Sequence, residues 1–504
     1  MKTGNLWKRS RGAIRFLLLL LCAAMLVPFF AACGNKDDPK DPGKESTATS
    51  QNQQQTTVEQ GPEFLFDKTD YYDDFNFLRA ASQYRNLYFT DTGSDDSDII
   101  LSALYERDAL VMEYLGVSIH SKTKDGLTDT GLVDEVRTNN MSDMKEYDAV
   151  LTHNYLGITA FISEDLLFDL YQMDDDIDFE ADYWNLDAIE ALEVRGKAYL
   201  ALNDFMINSP CAVFFNKGMM KRYQIAEDPY ELVRNGEWTL DKFFELTTRV
   251  SEENGDGVWD KNDIYGFGLY ADWYPIQLVD SCEVEWLTPG PGQRFLNMSS
   301  KNQRYMTVYE KIQQMANAPS TYMWNWGDTE NKINITDDRF LFTFAPVKDA
   351  YNYRGSDVKF GFLPYPKFDT DQKEYHSTEW SGMLCVPKRL KNEKMTAQTL
   401  ECLAAFSTDT IRPAYYEKLL GTRLADEPDD ADMISNYIFG NIILDPAWTF
   451  QTKANEPIGI LAYTIGKMLR NTLNKDPIDS IATNWEKYGS AAQKEIDKYI
   501  NGIE

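Results

Sequence analysis

The sequence predicts an α/β fold with a mostly parallel sheet, arranged in two or three lobes. Two observations predict it. Strand-like and helical patterns alternate in βαβαβ order between residues 85 and 152. About 440 residues remain beyond a polar N-terminal region, which at roughly 100 to 200 residues per domain makes two or three lobes.

The first strand is read at residues 85–89, followed by the loop Thr90-Asp91-Thr92-Gly93-Ser94-Asp95-Asp96 and a helix over 99–115. A strand at 117–120, a helix at 132–144 and a strand at 147–152 follow, the last running into His153-Asn154-Tyr155. Ligands of such sheets sit beyond the carboxyl ends of strands, which makes Asp91, His153, Asn154 and Tyr155 candidates. Ordinary loop polarity reads equally well. Neither GxGxxG nor GxxxxGK[ST] follows these strands, so nucleotide binding has no support.

Further on, the unbroken apolar run 211–215 reads as a buried strand. Trp238-Thr239-Leu240-Asp241 reads as a helix entry, with Thr239 as N-cap and Asp241 facing the positive end of the dipole. Phe243, Phe244, Leu246 and Thr247 continue it as an apolar stripe. Pro364 and Pro366 end a strand at 359–363.

The N-terminal residues give an address. Lys2, Lys8, Arg9, Arg11 and Arg15 precede an apolar run from Phe16 to Val27, too short to span a bilayer, and small residues follow. Phe30-Ala31-Ala32-Cys33 resembles a bacterial lipobox, with Phe30 standing where an aliphatic residue is usual. The resemblance implies that residues 1–32 are removed and that Cys33 is lipidated, with palmitate as acyl chain. The remainder of 33–61 is polar and nearly empty of large apolar residues, a flexible stalk. Ordinary secretion is the other reading.

Removing residues 1–32 moves the net charge from −30 to −35. Such a surface argues against nucleic acid and against anionic membrane contact other than through the anchor. Aromatic residues make up 13% of the chain, including 11 Trp, more than a core needs, so some rings are expected to face a ligand. Cys211, Cys282, Cys385 and Cys402 remain after processing, without CxxC spacing; disulfides and buried thiols both stay open. With only His120, His153 and His376, a histidine-based site has little to draw on.

One loop has metal-ligand spacing. Glu252, Asn254, Asp256, Gly257, Val258, Asp260 and Asp263 fall at positions 1, 3, 5, 6, 7, 9 and 12 of an EF-hand calcium loop. Glu at position 1 and Asp at position 12 depart from the usual residues. A structural calcium ion at Glu252, Asn254, Asp256, Val258, Asp260 and Asp263 is one expectation, and a plain acidic turn is the other. No cofactor is required.

Several short segments occur in a telling order: Asp182-Tyr183-Trp184-Asn185, Gly196-Lys197-Ala198-Tyr199-Leu200, Cys211-Ala212-Val213-Phe214-Phe215-Asn216-Lys217, Glu237-Trp238-Thr239-Leu240-Asp241-Lys242-Phe243, Ile264-Tyr265-Gly266-Phe267-Gly268, Asp338-Arg339-Phe340-Leu341-Phe342 and Phe360-Gly361-Phe362-Leu363-Pro364-Tyr365-Pro366-Lys367. In this order and behind a lipobox, they resemble the family 1 extracellular solute-binding proteins of bacterial ABC importers, the maltose-type sugar receptors. The resemblance covers roughly residues 80 to 500 and implies a two-lobed periplasmic-binding-protein-like α/β fold of type II, hinged between lobes. Lobe 1 would hold 62–209 and 370–422, and lobe 2 210–365 and 427–504, with crossings near 208–211, 364–369 and 421–426.

The resemblance also implies a monomer with permease subunits as partners and a carbohydrate ligand. Sugars are held by rings stacked on their apolar faces and by acids and amides on their hydroxyls. On that basis Trp273, Trp380, Tyr155 and Trp326 are expected to face the ligand, with Asp272, Asp91, His153 and Asn154 as polar partners. A lipid-anchored glycoside hydrolase, or a surface protein binding peptide or another polar solute without transport, would share the composition.

Overall fold

The computed structural model describes residues 62–80, 89–90, 99–123, 128, 131–154, 157–206, 210–284, 287–290, 293–296, 303–325, 327–353, 355–378, 382–415, 428–451 and 456–501. Cys33 and the stalk, Asp91, Tyr155, Trp326, Trp380 and the crossing expected at 421–426 lie outside them. So does the strand expected at 85–89, save Phe89.

The first strand described is β1 (Asp73–Arg79), ahead of the expected one, and α1 (Ile99–Leu115), β2 (Val117–Lys122), α2 (Gly131–Ser142) and β3 (Ala149–His153) follow as the βαβαβ pattern requires. β1 is central, pairing parallel with β2 (Phe75 opposite Ile119) and with β3 (Phe77 opposite Ala149). A fourth strand, Gly382–Cys385, returns from far along the chain to lie antiparallel to β3, Met383 opposite Thr152. Its Leu384 also bridges Ala201.

Phe75, Phe77, Val111, Leu115 and Leu151 are fully buried where α1 covers this sheet. Helix Glu393–Asp409 packs beside α1. Gly116 ends α1: at φ +62° its N–H bonds the Met112 carbonyl at 2.9 Å, and an added Cβ would press on the Tyr72 backbone.

The second sheet is built from β4 (Cys211–Asn216), β5 (Ile264–Tyr270), β6 (Phe340–Pro346) and β7 (Phe360–Leu363), in the order β7-β4-β6-β5. Here the expectation of a mostly parallel sheet needs correction. β4 runs antiparallel to both β6 and β7, while β5 and β6 are parallel and Thr321–Trp324 adds parallel to β5. β6 and β7, linked through the 3-10 helix Val347–Tyr353, run parallel to each other, and β4 is inserted between them in the opposite direction.

Helix α3 (Leu240–Thr247) starts as expected, with the Thr239 side chain accepting from Lys242 N–H at 3.2 Å and Asp241 in its first turn. Its Phe243 and Leu246 are fully buried, and Trp238 just before it donates from Nε1 to the Pro364 carbonyl at 2.9 Å. That bond ties the helix entry to the segment leaving β7.

Each sheet has its own core, one centred on Phe75, Phe77 and Leu151, the other on Val213, Phe267 and Phe342. The architecture is therefore two-lobed α/β. All four described cysteines are buried free thiols, which settles the choice left open above against disulfides. Among the described residues no helix is long and apolar enough to cross a membrane.

Candidate functional site

The two cores meet at a narrow recess, open to solvent, with a cavity volume of about 30 Å³. Asn154, one residue past β3, lines it from the first lobe's sheet, and α4 (Tyr274–Ser281) contributes Ile276, Gln277 and Asp280 from the second core. The short parallel pair Ser377–Thr378 and Ile442–Ile443 supplies Thr378 and Ile443, and the turn beyond it adds Leu444 and Asp445. A one-turn helix, α5 (Pro446–Thr449), completes the wall with Trp448 and Thr449.

Local sequence explains α5. Asp445 is its N-cap, accepting from Ala447 N–H at 2.8 Å, and Pro446 stands at the first helical position, where a missing N–H costs nothing.

The recess presents mostly apolar surface, with a few polar groups set into it. Gln277 is 2% exposed; its Nε2 donates to Cys211 Sγ at 3.2 Å, while Oε1 has no hydrogen-bond partner among the described residues. Neither has Thr378 Oγ1, 6% exposed. Buried polar atoms are nearly always satisfied, so these two call for a partner beyond the described residues.

Asp280 and Asp445 both line the recess, with Asp280 Oδ1 and Asp445 Oδ2 lacking a hydrogen-bond partner among the described residues. Burial drives both carboxyls upward: Asp445 is pushed up to about 7, and Asp280 stands well above the usual carboxylate range. The Ala447 N–H works the other way on Asp445, favouring its ionised form.

The expected residues divide. Asn154 reaches the recess; His153 beside it is buried in the last register position of β3, opposite Gly382. Trp273 does not line the recess. It packs edge-on against Tyr463 at 4.7 Å, and Tyr463 in turn packs against Trp448 at 5.0 Å, so Trp273 stands two rings behind the wall. Asp272 is buried and ion-paired with Arg470 of α6 (Thr464–Asn474) at 3.2 Å. Gly466 lets α6 come that close, since a Cβ there would lie 2.6 Å from the Asp272 carbonyl oxygen.

Gln277, Asp280, Thr378, Asp445 and Trp448 were missed by sequence reasoning. Only the Asp-Pro-Ala-Trp helix start around Trp448 carries a local signal.

The acidic loop turns its side chains onto its own backbone. Asp256 N–H bonds Asn254 Oδ1 and Val258 N–H bonds Asp256 Oδ1, at 3.1 and 2.8 Å. Asp263, fully buried, holds the Asn254 N–H on one oxygen at 2.9 Å and the Asp260 N–H on the other at 2.6 Å. Glu252 accepts from the Tyr223 hydroxyl at 2.7 Å, and Asp260 from Asn262 N–H at 2.7 Å. With both Asp263 oxygens held by amides, the closing bidentate ligand of a calcium sphere is not on offer in this arrangement. Among the described residues no three or more His, Cys, Asp or Glu side chains are grouped to hold a metal ion.

Comparison of the whole architecture with solved structures is decisive for the fold. A cyclic α-maltosyl-1,6-maltose binding protein from Arthrobacter globiformis aligns over 85% of this chain and 98% of its own, with a TM-score of 0.57 at 10% identity. The galacto-N-biose/lacto-N-biose I-binding protein of an ABC transporter from Bifidobacterium longum aligns over 85% and 97%, at 0.54 and 13%. The fold is that of the ABC-transporter solute-binding proteins. UgpB from Mycobacterium tuberculosis, solved with glycerophosphocholine, shares this solute-binding fold over 85% and 98% of the two chains, at 0.54 and 14%. These neighbours are binding proteins rather than enzymes. No protein-family model and no curated protein matches the sequence.

Proposed function

We propose that the protein is the solute receptor of an ABC importer, taking a sugar or oligosaccharide in the recess between its lobes and delivering it to permease subunits. The observation that carries this is the recess itself: a largely apolar wall at the meeting of two cores, in which Gln277 Oε1 and Thr378 Oγ1 are buried without a hydrogen-bond partner among the described residues. Sugar hydroxyls supply the donors and acceptors such atoms require, and the Trp448 ring offers an apolar face.

The lobes are 62–209 with 370–422 and 210–365 with 427–504. Tyr155, Trp326, Trp380 and Asp91 are proposed as further ligand-facing residues. Lipid on Cys33 holds a monomer at the outer face of the cell membrane, and the stalk raises its effective concentration at the permease.

Calorimetric titration of neutral mono- and oligosaccharides, including maltose and lacto-N-biose, tests the reading. We expect saturable binding by at least one, weakened about tenfold or more by Trp448→Ala through loss of stacking area, with no released product. Silence across all saccharides would sink it. Membrane fractionation of a Cys33→Ser variant tests the anchor, with release into the medium expected.

A further inference from the structure

We infer that the recess wall is a binding site for a hard divalent cation, calcium by its chemistry, formed by side-chain oxygens of Gln277, Asp280, Thr378 and Asp445. This goes beyond the reading of the recess as the solute site and does not depend on it.

Four oxygens of the lining residues are buried without a hydrogen-bond partner among the described residues: Gln277 Oε1, Asp280 Oδ1, Thr378 Oγ1 and Asp445 Oδ2. Gln277, Asp280 and Thr378 are 2, 5 and 6% exposed. Local structure leaves these oxygens over. Gln277 commits its amide N–H to Cys211 Sγ at 3.2 Å, and Asp445 uses its other oxygen, Oδ1, to cap the Ala447 N–H at 2.8 Å. Gln277 and Asp280 stand three residues apart on α4, which puts them on one face. Asn154 and Trp448 bring N–H donors to the same wall, but neither donates to any of the four oxygens.

Burying a carboxyl is unfavourable unless a counter-charge or a proton accompanies it. The described lining residues include no Lys, Arg or His. Bases on neighbouring elements are engaged elsewhere: Arg470 with Asp272 at 3.2 Å, and Arg304 and His376 both with Glu283, at 3.0 and 3.2 Å. A water molecule brings donors but no charge. A cation supplies charge to both carboxylates and a partner to all four oxygens.

The ligand set selects the ion. Carboxylate, amide and hydroxyl oxygens, with no thiol or imidazole lining the wall, suit calcium or magnesium over zinc or copper. Two carboxylates match a charge of two. Oxygens gathered from separate segments suit the flexible sphere of calcium better than the near-octahedral one of magnesium. With only two acids the set differs from a site of three or more acid, thiol or imidazole ligands, which the described residues lack. A volume of about 30 Å³ has room for the ion and roughly one coordinated oxygen, from water or from a solute hydroxyl at the mouth. Gln277 Oε1 and Thr378 Oγ1 each keep a second lone pair for that hydroxyl.

The test uses the full chain, stripped of metal with a chelator and titrated calorimetrically with CaCl2 and separately with MgCl2, with no solute present. Calcium should saturate a site at about 1 mM or tighter and be held more tightly than magnesium. Asp280→Asn and Asp445→Asn should each weaken it about tenfold or more, and Thr378→Val, which keeps the shape and drops one ligand oxygen, about threefold. Asp256→Asn/Asp260→Asn, in the acidic loop, should leave it unchanged.

Absence of calcium binding up to about 5 mM overturns the inference. So does magnesium held as tightly as calcium, affinity unchanged in both recess carboxyl variants, or a site lost in the acidic-loop variant. If neither carboxyl variant folds, Thr378→Val decides, and unchanged affinity there overturns the inference. Failure of the solute reading is a separate result: silence across all saccharides leaves a calcium site standing, and absence of calcium binding leaves a saccharide titration standing.

Discussion

At the scale of single residues, buried acids shape the pH response. Burial raises Asp148 to about 6 and Asp445 to about 7, and it lifts Asp280, Glu401 and Asp430 above their ordinary values. A raised carboxyl keeps its proton in the folded state at a pH where the unfolded chain has lost it. Stability then falls as pH rises from about 4, the unfolded value, through the folded values near 6 and 7. Asp73, Glu227 and Glu245 shift the other way through exposed pairs with Lys391, Arg249 and Lys242, an effect lost only as pH falls below the ordinary carboxylate range. Between pH 5.5 and 7.5 the buried acids dominate. The melting temperature should therefore be higher at about pH 5.5 than at about 7.5, and Asp280→Asn should flatten that slope. A stability maximum above pH 7 would contradict the assignment. Of the recess residues only Asn154 was legible beforehand, because a polar loop after a strand marks itself locally. Gln277, Thr378, Asp445 and Trp448 lie in separate segments whose meeting is a property of the tertiary structure.

At the scale of elements, caps and close approaches carry testable energy. Thr239→Ala removes the side-chain bond to Lys242 N–H and should cost about 1 kcal/mol, seen as a lower denaturant midpoint with unchanged slope. Gly466→Ala puts a methyl against the Asp272 carbonyl and should cost about 1 to 3 kcal/mol while weakening the Asp272–Arg470 pair. Helix 99–115 was readable from its length, and the strand at 211 from a short apolar run rich in Val and Phe. Strand Asp73–Arg79 was not, since Asp73, Asp74, Asn76 and Arg79 give it the look of a polar linker although Phe75 and Phe77 are wholly buried. The calcium-loop spacing is a weaker signal for a related reason. Spacing fixes which residues alternate, but not whether their oxygens turn to an ion or, as with Asp263, to the backbone.

At the scale of the whole molecule, a recess at the meeting of two separately packed cores suits closure by rotation of one lobe against the other. Small-angle scattering should show a smaller radius of gyration with saturating ligand, and an unchanged profile would argue for a rigid surface binder. The two-lobed plan was legible from motif order, whereas the strand directions of the second sheet were not, because β4 is inserted in reverse between β6 and β7, which lie far from it in sequence.

Strand Gly382–Cys385 has a consequence for how the chain is made. β3 gains this partner only after more than two hundred further residues have emerged, so through a long stretch of synthesis one edge of the first sheet stands open. Contacts this distant in sequence close slowly. The nascent N-terminal half is thus the stage most exposed to mispairing, and the one for which chaperone protection matters most.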